Sequence, residues 1–177
     1  YRPDGQRFAP IEGTKTSLKV LTAVDVKTFC NTAMQVKAKG VDPVALSGMK
    51  NFLLEIGRTQ AVLQSDNEPS IKLLLAELCR LVPGLSRRHS PAYSSKSMGA
   101  IGNLQVQLYG QMRTMRADLE KRLGRTIRLN HRVISWLLHY CSFLLTRFLV
   151  HEDGVTSYYR RWQKNYSGAL CNFCELV

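Results

Sequence analysis

Short apolar runs alternate with longer amphipathic runs along this chain, and that alternation restricts the fold more than any other feature. Residues 18–24 are apolar and β-branched and predict a strand, as do residues 29–36 after a short turn. Asp42 followed by Pro43 predicts the start of a helix, because aspartate is a common N-cap and proline fits the first helical position. Apolar residues at helical spacing then continue to Gly57.

Further elements follow in the same alternation. Residues 61–65 predict a short buried strand, residues 69–81 a helix, and residues 85–89 another strand. Two long helices are predicted over about 98–123 and 133–149. In the second, apolar side chains spaced three or four apart are expected in the core: Trp136, Leu137, Tyr140, Leu144 and Phe148. Strands that alternate with helices favour an α/β fold, a mixed sheet flanked by helices.

The chain length and the charge balance suggest one basic globular domain. At 177 residues the chain is long enough to bury a core, and 45% hydrophobic with 21% charged residues argues against a disordered chain. Lysine and arginine outnumber aspartate and glutamate 25 to 13, a net charge of +12. This excess predicts a polyanionic partner, with nucleic acid the leading candidate. A basic domain with no particular ligand is the alternative.

The cysteines and the longest apolar run bear on location. Five scattered cysteines and no signal peptide predict reduced thiols in an intracellular protein, nuclear or cytoplasmic. The longest apolar run, residues 133–150, is interrupted by Arg147. A membrane span needs about 20 mostly apolar residues, so this run predicts a buried helix and no membrane partner.

Asp66 directly follows the predicted strand at 61–65, in a stretch that reads QSDNEPS over residues 64–70. An acid at this position sits at the C-terminal edge of a sheet, where α/β folds place ligand-binding groups. Aspartate followed by asparagine is also a common way to begin a turn or to cap the next helix. The two interpretations are evenly balanced on this stretch alone.

A second informative stretch, residues 90–102, reads SPAYSSKSMGAIG. Together with Asp66 it resembles the catalytic core of retroviral and retrotransposon integrases. In that family a proline-tyrosine-polar loop leads into a helix that carries glutamate three residues after a glycine. Here the glycine is Gly99, and Gly102 stands where the glutamate is expected. Between Asp66 and position 102 lie 35 residues, which is the separation that the family uses.

The C-terminal part extends the resemblance to nearly the whole chain from about Lys19 onward. Residues 146–148 (TRF) and 153–158 (DGVTSY) resemble a region of retrotransposon polyproteins, and residues 173–177 (FCELV) resemble the ending of that region. The resemblance implies one integrase-core-like domain over residues 1–177, with an irregular N-terminal piece at 1–17 and a C-terminal extension at 150–177.

Resemblance to this family implies an RNase H-like fold and a role in DNA integration by polynucleotidyl strand transfer. Its members hold two Mg²⁺ or Mn²⁺ ions with three carboxylates. Asp66 would be the second acid and a metal ligand, and Gly102 marks the position of the missing glutamate. The first acid belongs to a strand expected at or before Tyr1, so the first strand is expected to be truncated. The resemblance therefore implies a degenerate or fragmentary copy with impaired catalysis.

DNA contact does not need those acids. The family's equivalent of the helix from Met98 lies along DNA, which makes Lys96, Gln105, Arg113 and Arg116 the expected nucleic-acid contacts. A solvated helix face is the alternative for the charges in the C-terminal half of that helix. Two other functions stay open: a non-catalytic nucleic-acid-binding domain, and a helical interaction domain that forms a homodimer through the C-terminal helices.

Overall fold

A computed structural model describes residues 18–89 and 99–175 of the chain. The order of elements is β1 (Val20–Val24), β2 (Asn31–Gln35), α1 (Pro43–Glu55), β3 (Ala61–Ser65), α2 (Pro69–Leu81), β4 (Leu85–His89), α3 (Gly99–Leu123), α4 (Arg132–Phe148) and α5 (Ser157–Trp162). The first eight occur in the predicted order. Helix α5, which lies within the predicted C-terminal extension, was not predicted.

The four strands form two separate pairs. β1 pairs with β2 in antiparallel register, and β3 pairs with β4 in parallel register. No ladder joins the two pairs among the described strands, so the expected mixed sheet is present in two pieces. The mixed α/β fold class is confirmed. The predicted first strand and the irregular piece at 1–17 lie outside the described residues, and the division of the chain into a single domain stays a prediction.

The N-terminal end of α1 shows why the local signals in this sequence were informative. The Asp42 side chain accepts hydrogen bonds from the backbone N–H groups of Val44 at 2.8 Å and Ala45 at 3.4 Å, as an N-cap does. It also accepts one from the Lys37 N–H at 3.1 Å, which joins the end of the hairpin to the helix. Burial opposes ionisation of this carboxyl, but the backbone hydrogen bonds outweigh it and lower the pKa of Asp42.

The largest hydrophobic cluster lies between the β1–β2 hairpin and the antiparallel helices α3 and α4. Leu108 on α3 and Ile134, Leu137 and Leu138 on α4 have no exposed surface. Burying one such side chain contributes about 1.5–3 kcal/mol. A second cluster, around Met34 and the α1, α2 and β3–β4 side chains, extends the core under the other strand pair.

The expected core side chains of α4 need one correction. Leu137 is buried as predicted, but Trp136 is 74% exposed and Phe148 is 42% exposed. The buried stripe runs through Ile134, Leu137, Leu138, Cys141 and Leu145 instead. At about 100° per residue, Trp136 points roughly 200° away from Ile134 and faces outward. Trp136 was predicted in the core because it lies four residues before Tyr140, and that prediction was wrong.

Buried polar contacts connect the hairpin to its neighbours. The carboxylate of Asp25, at the end of β1, accepts hydrogen bonds from the Thr28 hydroxyl at 2.5 Å and from Arg58 at 2.8 Å. Burial opposes ionisation of Asp25, but these hydrogen bonds outweigh it and lower the pKa of its carboxyl. Asn31 at the start of β2 accepts a hydrogen bond from Ser142 of α4 at 2.8 Å. These contacts hold β1, α1 and α4 in one arrangement.

None of the described helices is both long enough and apolar enough to span a membrane. The long apolar run predicted as a buried helix is α4, which packs on the hairpin and on α3.

Candidate functional site

Asp66 lies immediately after β3, at the C-terminal end of the parallel strand pair, as the sequence predicted. Its side chain is exposed, and its Oδ1 accepts a hydrogen bond from the Glu68 N–H at 3.2 Å. The N-cap of α2 is Glu68 and not Asp66, so Asp66 shapes the turn without capping the helix. The second carboxylate oxygen has no hydrogen-bond partner among the described residues and is accessible.

Glu68, the nearest other acid along the chain, is already engaged. Its Oε1 accepts hydrogen bonds from the Lys39 ammonium and the Ser70 hydroxyl, each at 2.7 Å. The hydrogen bond from Lys39 and that from Ser70 lower the pKa of the Glu68 carboxyl. Glu68 is therefore an ionised helix-start residue with its own partners, not a free second carboxylate beside Asp66.

Gly102 lies in the first turn of α3 and faces solvent. A Cβ added there meets no heavy atom within 4 Å, so the position has room for a longer side chain but supplies no ligand atom. Among residues 18–89 and 99–175, no group of three or more His, Cys, Asp or Glu side chains could hold a metal ion. The residues present do not fit a two-metal centre of the kind that needs several carboxylates.

The predicted DNA contacts on α3 differ in exposure and in their partners within the fold. Arg113 is exposed, has no ion-pair partner among the described residues, and lies eleven residues after Gly102. Eleven residues are about three helical turns, so the two positions share one face and lie about 16 Å apart. Val106 and Tyr109 are the exposed apolar side chains along that face, at 74% and 43%.

Gln105 and Arg116 instead make contacts within the fold. The Gln105 amide donates a hydrogen bond to the Thr22 hydroxyl of β1 at 3.3 Å, which ties α3 to the hairpin. Arg116 is half-buried and forms an ion pair with Glu120 at 2.9 Å. Lys96 lies outside the described residues. The roles of these side chains in DNA contact stay predictions.

A polar cavity between α1, β2 and α4 had no counterpart in the sequence reasoning. It encloses about 160 Å³ and is lined in part by Glu55, His139, Arg147 and Trp162. The Arg147 guanidinium lies 3.9 Å from the centre of the Phe143 ring and forms an ion pair with Glu55 at 3.4 Å. Trp162 of α5 packs against the small core cluster at this end of α1. The contacts of Arg147 give this residue of the TRF stretch at 146–148 a structural role.

Comparison with known proteins gives a fold likeness and no sequence family. No protein-family model matches the sequence, and no curated protein does. The catalytic core domain of BIV integrase is similar in structure, with a TM-score of 0.57 and 18% identity over 81% of this chain and 85% of that one. A chain of the simian T-cell lymphotropic virus intasome, in complex with PP2A regulatory subunit B56 gamma, matches at a TM-score of 0.59 and 15% identity. That match covers 89% of this chain, which spans about half, 51%, of the intasome chain.

The fold predicted by the sequence resemblance is therefore confirmed: this chain has the fold of retroviral integrase cores. At 15–18% identity the likeness concerns the fold alone.

Proposed function

We propose that this chain is an integrase-core-like domain of a retrotransposon, related to DNA integration, which binds DNA but lacks the complete acid set for strand transfer. The observation that carries the proposal is the integrase-core fold with Asp66 at the end of β3 and the open Gly102 in the first turn of α3. The retrotransposon origin is supported by the matching stretches at 146–148 and 153–158.

The proposed loss of strand transfer follows from the carboxylate side chains available to hold metal ions. In-line phosphoryl displacement with two metal ions needs carboxylates that hold both ions while the attacking and leaving oxygens are stabilised. Asp66 offers one accessible carboxylate, and position 102 offers none. Mg²⁺ or Mn²⁺ is the cofactor that the resemblance implies. The described residues do not include a group of carboxylates that could hold it.

The binding half rests on charge and on α3. A net charge of +12 attracts a polyanion from any direction, and phosphate contacts need cations but no catalytic acid. We assign Arg113, on the exposed face that also carries Gly102, as a phosphate contact. The proposed interface also includes Gln105, Arg116 and Lys96, the last of which lies outside the described residues. To contact DNA, Arg116 would leave its ion pair with Glu120.

The test compares the wild-type chain with Gly102→Glu and with the double variant Asp66→Asn, Gly102→Glu. Each protein is titrated with a labelled DNA duplex over a range of salt concentrations, and is then incubated with the duplex and Mn²⁺. We expect all three to bind with an affinity that falls steeply with salt, and the wild type to show no metal-dependent nicking or joining. Metal-dependent strand transfer by the wild type would contradict the catalytic half. Absence of binding at low salt would contradict the binding half.

A homodimer through the C-terminal helices is a second candidate role, and one observation favours it. Trp136 on α4 is 74% exposed, an unusual position for the largest apolar side chain of a helix whose other face is core. If α4 forms a dimer contact, Trp136→Glu lowers the mass measured by light scattering to that of a monomer. Asn51→Glu, an exposed change on α1 that alters the net charge by the same amount, is the matched control. A wild-type monomer at high concentration would refute this role.

A location in the nucleus or the cytoplasm accompanies the proposed function. It is tested by imaging the tagged chain in cells, where an exclusively secreted or membrane-bound signal would contradict it.

A further inference from the structure

The segment at the junction of α3 and α4 concentrates positive charge. Residues 121–132, called the arginine loop below, contain no aspartate or glutamate. They contain five cations, all on exposed residues: Lys121, Arg122, Arg125, Arg128 and Arg132. A run of exposed cations without intervening acids produces a local positive potential that is larger than the net charge alone implies.

Most of these cations have no partner within the fold. Arg125, Arg128 and Arg132 form no hydrogen bond or ion pair through their side chains among the described residues. Arg122 pairs with Asp118 at 3.0 Å and also donates to the Phe173 carbonyl at 2.7 Å. The other nearby acid, Glu120, is occupied by Arg116. Asp118 therefore neutralises one loop cation, Arg122, whereas Glu120 pairs with Arg116 outside the loop. Arg125, Arg128 and Arg132 have no acidic partner among the described residues.

The loop is held in one shape although its charged side chains are free. Ile127 at its centre is 6% exposed, and its N–H donates to the Glu120 carboxylate at 2.7 Å. The Arg125 N–H donates to the Glu120 carbonyl at 3.3 Å, and the His131 N–H donates to the Arg128 carbonyl at 3.0 Å. Less ordering of the loop backbone is therefore needed when a ligand binds.

A cavity of about 340 Å³ opens beneath the loop. Its lining includes three arginines and one histidine, and no acidic side chain: Arg122, Arg125, Arg128 and His131. The N-terminus of α4 and the C-terminus of α3 both border the cavity, so the contributions of the two helix dipoles to anion binding oppose each other. The attraction for an anion therefore comes from the arginine side chains of the lining, where no acidic side chain of the described residues opposes them.

The arginine loop is distant from the candidate site at the start of α3. From Gly99 to Leu123 the helix rises about 36 Å, at about 1.5 Å per residue. One turn of duplex DNA is about 34–36 Å long. The two ends of α3 are thus separated by about one turn of a duplex.

We propose that the arginine loop is a second phosphate-binding surface, which contacts the backbone of duplex nucleic acid about one helical turn of the duplex from the start of α3. Guanidinium groups match phosphate oxygens in bidentate geometry. The lining has no Phe, Tyr or Trp on which single-stranded bases could stack, which favours contact with a duplex backbone. The contact is independent of base sequence. The inference rests on the proposed function in its choice of DNA as ligand.

The test removes two free cations from the loop and, in a matched control, two from elsewhere. The loop variant is Arg125→Gln, Arg128→Gln. The control is Lys27→Gln, Lys50→Gln, which removes two exposed lysines from the β1–β2 turn and from α1. Both carry the same net charge, and a circular dichroism melt confirms that each is folded. Affinity for a labelled duplex is measured by fluorescence anisotropy as a function of salt.

Each phosphate contact contributes about 0.9 to the slope of log affinity against log salt, so loss of two contacts lowers the magnitude of the slope by about 1.8. If the wild type and the loop variant have equal affinity at 1 M salt, this change in slope makes the affinity of the variant roughly 60-fold lower than that of the wild type at 0.1 M salt. We expect the control to lose less than half of that. Arg125→Lys, Arg128→Lys is expected to keep most of the slope.

Three outcomes overturn the inference, and they are distinguishable. If the loop variant follows the control while Arg113→Gln weakens binding, the proposed function stands and the second surface does not exist. If polyglutamate of equal charge displaces the duplex from the loop as well as competing duplex does, the loop is a site for acidic proteins. If the wild type binds no duplex at low salt, the proposed function fails together with this inference.

Discussion

Replacing Gly102 with glutamate measures the stability of α3 at the position where the sequence resemblance expects an acid. Gly102 is the fourth residue of α3, it is exposed, and an added Cβ meets no heavy atom within 4 Å. Glycine in a helix costs about 0.8–1.0 kcal/mol relative to alanine, and glutamate is among the better helix formers. A carboxylate in the first turn adds about 0.3 kcal/mol or more through the helix dipole. We therefore expect Gly102→Glu to raise the free energy of unfolding by about 0.5–1.3 kcal/mol.

The measurement is urea denaturation followed by far-UV circular dichroism, with two controls. Gly102→Gln has the same size without the charge, and its difference from Gly102→Glu isolates the electrostatic contribution. Gly110→Glu changes another open glycine of α3, one that lies far from the helix start, and gains helix propensity alone. If Gly102→Glu is less stable than the wild type while Gly102→Gln is more stable, a neighbouring acid repels the new carboxylate. The assumption that position 102 is electrostatically independent would then be wrong.

Three further predictions concern the contacts that hold the fold. Asp25→Asn breaks the ion pair with Arg58 and should lower the free energy of unfolding by about 2–3 kcal/mol in urea denaturation. Because the pKa of Asp25 is lowered in the folded state, this stability is present above the ordinary pKa of 3.8 and is lost as the pH falls through the folded-state pKa. An equal deficit in the variant at pH values well below the folded-state pKa would contradict the assignment. Asp42→Ala removes the α1 cap and its bond to Lys37, and should lower stability by about 1–2 kcal/mol in the same assay, whereas no change would mean that water replaces the cap. Leu108→Ala should cost about 2–5 kcal/mol because Leu108 has no exposed surface, and a loss below 1 kcal/mol would show that the α3–α4 core is loosely packed.

Sequence reasoning succeeded where the signal is local. The Asp42–Pro43 start of α1 was predicted because the cap and the first helical residue are adjacent in sequence, and the cap hydrogen bonds are present. The strand that ends before Asp66 was predicted because a short apolar run followed by turn residues has few other structures available. Each of the eight predicted helices and strands has a regular spacing of apolar residues, or capping or turn residues at one end.

The same reasoning failed where packing between distant segments decides. Trp136 faces outward because the buried stripe of α4 is fixed by the hairpin and α3, neither of which its own spacing shows. Helix α5 has only six residues, too few for a periodic pattern to be recognised. The hydrogen bond from the Gln105 amide to Thr22, a residue 83 positions earlier, was not foreseen either, and a contact of Gln105 with DNA stays a prediction. Contacts of this range become visible only once the strands and helices are placed together.

The positions of Asp66 and Gly102 explain why, under the proposed function, DNA binding is expected to persist after strand transfer is lost. Asp66 and Gly102 are exposed and belong to none of the hydrophobic clusters, so a change at either leaves the core intact. Catalysis by a small set of carboxylates fails when one ligand is replaced, because the metal ions lose a donor that no neighbour supplies. Binding through distributed cations loses about one phosphate contact for each cation removed, so it declines in steps. Under the proposed function, a chain with 25 basic residues is expected to lose several of them and still bind DNA, whereas a single glycine at position 102 is expected to remove a required metal ligand.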